Sequence, residues 1–170
     1  SANENAAHVR IFADLTYTGE RPVGLVTYTI KASDSTVVGT ASAPAGQPVD
    51  IQVKNPQLWW PNGYGEQPLY TVEITVKHNG ETLDSATRRI GMRQVRLLMD
   101  FDDIGMSYTF EINGQTVFAK GANWIPEDVF VTRVTPTRYR ERIQQAVDSN
   151  MNMLRIWGGG IYEDNVFYDI

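Results

Sequence analysis

Apolar and polar residues alternate with a period of two through much of the first hundred positions. In residues 8–17, Val9, Ile11, Ala13 and Leu15 fall on one face and Arg10, Asp14 and Thr16 on the other. That alternation is the signature of a half-buried strand. A second strand is expected over residues 23–30, where β-branched and aromatic side chains concentrate. Further strands are expected over residues 36–43, 49–53, 69–78 and 82–97. Turn formers separate them: Gly19-Glu20-Arg21-Pro22, Ala45-Gly46-Gln47-Pro48, Pro61-Asn62-Gly63 and Asn79-Gly80. Short strands punctuated in this way predict an antiparallel β-sandwich of about 100 residues.

The pattern changes near residue 99. Residues 98–105 (LMDFDDIG) carry Asp100, Asp102, Asp103 and Gly105 and read as a crossing linker. A tight hairpin follows, with arms at 108–112 and 116–120 around Asn113-Gly114. From Pro136 the period becomes helical. Thr135 is the expected N-cap, Pro136 takes the first helical position, and Tyr139, Ile143, Ala146 and Val147 form the apolar stripe. Asn150 is the expected terminator. Residues 151–157 (MNMLRIW) read as a short buried strand, followed by Gly158-Gly159-Gly160 and a new helix from Glu163 or Asp164. From Val117 onward the order is strand, loop, helix, strand, loop, helix start, the repeat of a parallel α/β fold. The predicted chain is therefore mainly β: a sandwich over residues 1–98, a linker over 99–105, and an incomplete α/β segment over 106–170.

Composition narrows the function classes. The chain has 170 residues, 42% of them hydrophobic, and a net charge of −5, which suits a folded domain and argues against disorder. Its densest basic stretch, residues 133–142, is interrupted by Glu141 and reads as a solvated helix face. Nothing here calls for nucleic acid or an anionic membrane as partner, and no apolar run approaches the ~20 residues of a membrane span. Without Cys, disulfides and thiolate metal sites are excluded, while the compartment stays open, periplasmic and secreted locations included. His8 and His78 stand far apart with no carboxylate cluster, so no metal site is expected from them. Residues 1–7 are polar, lack the apolar core of a signal peptide, and are read as a domain boundary.

Candidate chemistry lies in two loops, because functional loops in parallel α/β folds follow the C-terminal ends of strands. The first is expected at 121–128 (GANWIPED) and the second at 157–164 (WGGGIYED). Each joins an aromatic ring to hydrogen-bonding groups, a combination that suits sugars, whose C–H faces stack while their hydroxyls are read by polar atoms. The glycines allow close backbone approach, though such runs also serve as plain turns and Trp124 also suits a core. Glu127, Asp128, Glu163 and Asp164 superficially resemble an acid/base couple, yet Asp164 is explained by helix capping. Asn55-Pro56 and Trp59-Trp60-Pro61 suggest an aromatic binding platform, but paired Trp residues beside Pro are expected rather to pack at a sandwich edge.

At these residues the sequence resembles glycoside hydrolase family 2. Residues 55–65 (NPQLWWPNGYG) with Gln67-Pro68-Leu69-Tyr70, the stretch Arg89-Ile90-Gly91-Met92-Arg93, and residues 110–124 (FEINGQTVFAKGANW) are similar to ordered motifs of that family. Residues 121–126 (GANWIP) and 154–160 (LRIWGGG) with Tyr162-Glu163 are similar to its β-mannosidase branch. The resemblance implies an immunoglobulin-like sandwich followed by the first two βα units of a truncated (β/α) barrel. It implies a retaining exo-glycosidase that removes terminal β-D-mannosyl residues from a glycan, with no cofactor or metal. Trp157 would line the pocket for the terminal sugar and Arg155 would help hold the nucleophilic carboxylate. Asn123, Trp124, Gly158 and Gly159 would border that pocket. In the family the two catalytic Glu residues follow the fourth and seventh strands. The chain is expected to end just past the second, and so to be inactive alone and prone to self-association. A non-catalytic sandwich module and an exo-β-glucosaminidase are the alternatives; Trp157 disfavours the latter.

Overall fold

The computed structural model describes residues 2–16, 18 and 24–170. The turn expected at Gly19-Glu20-Arg21-Pro22 lies outside the described residues, as do Tyr17 and Val23. The chain forms two compact units, residues 1–59 with 67–95 and residues 60–66 with 96–170.

The first unit is an immunoglobulin-like β-sandwich with six strands among the described residues: β1 (Ala6–Ile11), β2 (Leu25–Lys31), β3 (Val37–Pro44), β4 (Val49–Lys54), β5 (Tyr70–His78) and β6 (Glu81–Ile90). One antiparallel sheet has the order β3-β2-β5-β6, and β1 pairs antiparallel with β4 in the other. The period of two does the sorting. Val26, Tyr28 and Ile30 of β2 face Val49, Ile51 and Val53 of β4, with Val72 and Val76 of β5, in one core. Asn79 and Gly80 both take positive φ between β5 and β6, the two-residue turn that matches strand twist.

The strand expected over 82–97 is two strands. β6 stops at Ile90, and β7 (Val95–Leu98) joins β8 (Thr109–Ile112) and β9 (Gln115–Val117) in a three-stranded sheet, order β7-β8-β9. The break has a steric cause. Gly91 lies against the Trp59 indole, where a Cβ would meet Trp59 Cγ at 2.8 Å. Met92 is buried beside it, its carbonyl accepting from Trp59 N at 2.9 Å. The Arg93 guanidinium sits 4.4 Å over the same ring, so Trp59 packs structurally at the end of the sandwich.

In the second unit the first parallel strand falls later than expected. β10 is Gly121–Trp124, paired in parallel with β11 (Met153–Ile156) in the register Gly121↔Met153 to Trp124↔Ile156. Residues 118–120 are the connector, held by Asn152: Lys120 N donates to Asn152 Oδ1 at 2.9 Å, and Asn152 Nδ2 to the Phe118 carbonyl at 3.0 Å. β11 alternates exposed and half-buried residues rather than being buried throughout, because a two-stranded parallel pair leaves one face uncovered.

The helix α1 (Pro136–Asp148) starts as its sequence dictates. Thr135 is extended and its side chain accepts from Arg138 N, with Pro136 leading the first turn. Ser149 caps the other end and Asn150 follows with φ of 56°. Tyr139 is the buried member of its stripe, while Val147 is exposed. A second helix, α2 (Asn165–Asp169), is capped by Asp164, which accepts from Val166 N. Among the described residues no helix is long and apolar enough to cross a membrane.

Candidate saccharide-binding site

The parallel register places Asn123 opposite Arg155, and Arg155 Nη1 donates to Asn123 Oδ1 at 2.9 Å. Both residues are exposed. A guanidinium held in this way presents its remaining N–H groups to an anion or a hydroxyl. Next along the chain, Trp157 N donates to the Trp124 carbonyl at 3.2 Å, and Gly160 N closes a turn onto the Trp157 carbonyl at 3.1 Å. The glycines are there for the ring. A Cβ on Gly159 would lie 2.9 Å from Trp157 Cζ2, and one on Gly160 would lie 3.0 Å from its Cδ1. The indole thus rests on bare backbone and stays 41% exposed. It lines a shallow cleft of about 280 Å³ with Ile156, Gly158, Gly160, Ile161 and Tyr162. A half-exposed indole on a rigid backing, beside fixed polar groups, is suited to stacking a pyranose ring.

Trp124 faces a different environment. It is half-buried among Tyr139 of α1 and Phe167 of α2, with the Phe167 ring centroid 4.9 Å away. Its indole N–H donates to Glu163 Oε1 at 2.8 Å, and the Tyr139 hydroxyl donates to Glu163 Oε2 at 2.5 Å. Glu163 is the buried charged residue among those described, 7% exposed. Burial, and then the hydrogen bond to Glu163, push the Tyr139 phenol up to about 12 from an ordinary value near 10. Raised above its unfolded value, this group adds stability that is complete below about pH 10 and lost as pH climbs toward 12. The midpoint of thermal unfolding should therefore fall between pH 10 and 12, and Tyr139→Phe should flatten that part of the profile.

The other acidic residues of the loops are also engaged. Glu127 Oε1 takes Arg138 Nε at 2.5 Å and Arg142 Nε at 2.6 Å, tying the loop after β10 to α1. Asp128 accepts from Phe130 N at 2.8 Å and from Arg133 Nη2 at 2.7 Å. That backbone N–H first, and the guanidinium next, hold its carboxyl below the usual range. So Arg155, Trp157, Gly158 and Gly159 lie on β11 and the loop after it, with Asn123 beside Arg155 on β10, whereas Trp124 points its indole into the packing behind it. The Tyr139–Glu163 pair carried one legible signal, a Tyr on an apolar stripe, since a buried hydroxyl needs a partner. Which carboxylate would supply it was not readable.

Along the chain, then, an antiparallel sandwich is followed by parallel βα units, with an indole and a guanidinium at the strand ends. Residues 2–93 match the model of the family described as Glycosyl hydrolases family 2, and the chain belongs to that family. Beta-mannosidase B of Emericella nidulans is 42% identical over 118 residues, covering 69% of this chain and 14% of the relative. Beta-mannosidase B of Aspergillus terreus is 34% identical over 170 residues, covering 99% of this chain and 20% of the relative. The crystal structure of a Beta-D-Mannosidase from Dictyoglomus thermophilum superposes with a TM-score of 0.82 at 37% identity, covering 99% of this chain and 21% of that one. The chain thus spans a fifth or less of these curated relatives.

Proposed function

We propose that the protein to which this chain belongs is a retaining exo-glycosidase that removes terminal β-D-mannosyl residues from glycans. The observation that carries the reading is the Trp157 ring, braced on Gly159 and Gly160 just after β11, two residues on from the Arg155 that pairs across the strands with Asn123. The names of the relatives support the choice of mannoside. In such a reaction one carboxylate attacks the anomeric carbon and a second acid protonates the departing oxygen; water then releases the sugar from the covalent intermediate. On this reading Arg155 holds the nucleophilic carboxylate ionised by a charge-assisted hydrogen bond, and Trp157 stacks the sugar. The loop acids Glu127, Asp128, Glu163 and Asp164 already hold arginines, aromatic donors or a helix end. On this reading the catalytic pair comes from other parts of the protein, and these 170 residues alone are inert.

The test is to assay the full-length protein on aryl β-mannoside beside β-glucosaminide, β-galactoside and β-glucuronide, with the 170-residue chain as control. Selective release from the mannoside by the full-length protein alone is the expected result. Preference for another sugar overturns the substrate, turnover by the short chain overturns its inertness, and inactivity on all four returns the chain to a non-catalytic module.

A further inference from the structure

Glu163 is a costly residue to bury. Its neighbours Trp124, Tyr139 and Phe167 form an aromatic cluster that an apolar side chain would complete without desolvating a charge. Helix capping does not require it either, because Asp164 already caps α2. What the carboxylate does is geometric. The loop 157–163 is fastened at its first residue by Trp157 N to the Trp124 carbonyl, and at its last by Glu163 Oε1 to the Trp124 indole N–H. A single residue holds both ends, and Tyr139 fixes the second oxygen of the clasp.

We propose that Glu163 is a positioning residue: by closing the loop 157–163 onto Trp124, it sets the face that Trp157 presents to a pyranoside. The saccharide part rests on the function proposed above; the clasp itself does not. Trp124 then acts through Glu163 rather than by touching sugar. Without the carboxylate the far end of the loop is held only indirectly, by Phe167 packing on Trp124 and Tyr139 four residues on, and residues 158–163 gain conformational freedom.

The chain has four Trp residues, so 15N labelling of the indoles gives one resonance each. Glu163→Ala should shift the Trp124 resonance and shift or broaden that of Trp157, leaving Trp59 and Trp60 in place. Glu163→Gln, which keeps an acceptor for Trp124, should restore Trp157. An unmoved Trp157 resonance in the alanine variant overturns the proposal. So does collapse of all four resonances in both variants, which would assign Glu163 to the fold at large. In the full-length protein, Glu163→Ala should raise KM for the aryl β-mannoside about tenfold with a smaller change in kcat, and Glu163→Gln should recover most of it. Unchanged kinetics beside a moved Trp157 would remove the saccharide part. A wild-type protein inert on mannosides would overturn the function proposed above, while the indole resonances still decide the clasp.

Discussion

Gly121→Ala is expected to uncouple β10 from β11 and to destabilise the second unit by about 3 kcal/mol, the upper end of what overpacking usually costs. Gly121 pairs with Met153, and an added Cβ would lie 1.8 Å from the Met153 carbonyl oxygen. That oxygen is backbone, so no rotamer change relieves the clash; the two strands must move apart. The parallel pair places Asn123 opposite Arg155 and carries the Trp124–Trp157 backbone bond, so separation dismantles the candidate site with the strand. Thermal unfolding together with limited proteolysis across residues 118–125 reads the effect. An alanine variant that melts like the wild type and resists cleavage would show that the contact relaxes at little cost.

Trp157→Ala in the full-length protein is expected to lower kcat/KM for an aryl β-mannoside by about 100-fold, equivalent to about 2.7 kcal/mol of transition-state binding. The ring is preset. Gly159 and Gly160 support it while it remains open to the cleft, so little conformational freedom is lost when a sugar stacks there. Trp157→Phe should recover about a tenth of wild-type kcat/KM, because a smaller ring covers less of the pyranose. Steady-state kinetics on purified variants with unchanged melting points decide it. A loss of less than about threefold in the alanine variant would remove Trp157 from the site.

The sandwich was legible because its physics is local. Alternation pointed to β1, although that strand ends at Ile11, and β-branched and aromatic residues pointed to β2. Asn79-Gly80 marked the β5–β6 turn, and in the second unit Asn113-Gly114 marked the β8–β9 turn, through a φ that few residues tolerate. Thr135 and Pro136 marked the helix start for the same kind of reason. Two boundaries were misplaced where a distant contact decides. Gly121, Ala122 and Asn123 are poor strand formers, and they form a strand because β11 offers a parallel edge 32 residues away. The stretch 82–97 reads as continuous strand because the Trp59 indole that interrupts it at Gly91 lies far back in the sequence.

The candidate site divides along the same line. Asn123 and Trp157 were visible as candidates from their place after expected strands, and Arg155 from the resemblance alone. The role of Glu163 was not, since its donors Trp124 and Tyr139 stand 39 and 24 residues before it. Glu163 and Asp164, adjacent and alike in sequence, serve different ends: one is buried among rings and the other caps a helix.

The short segment Trp60–Glu66 packs with the second unit although it is encoded inside the first. Asn62 Nδ2 donates to the Met151 carbonyl, 89 residues later, and the Tyr64 hydroxyl accepts from Phe118 N, 54 residues later. During synthesis at about 5–20 residues per second, Asn62 leaves the ribosome roughly 4–18 s ahead of its partner. Strands β5 and β6 can pair on either side of that wait, with the loop Trp60–Glu66 held out as an unfinished edge. A nascent chain stalled with residue 100 just outside the exit tunnel should therefore show a protease-sensitive site at 60–66 that disappears once residue 151 has also cleared it.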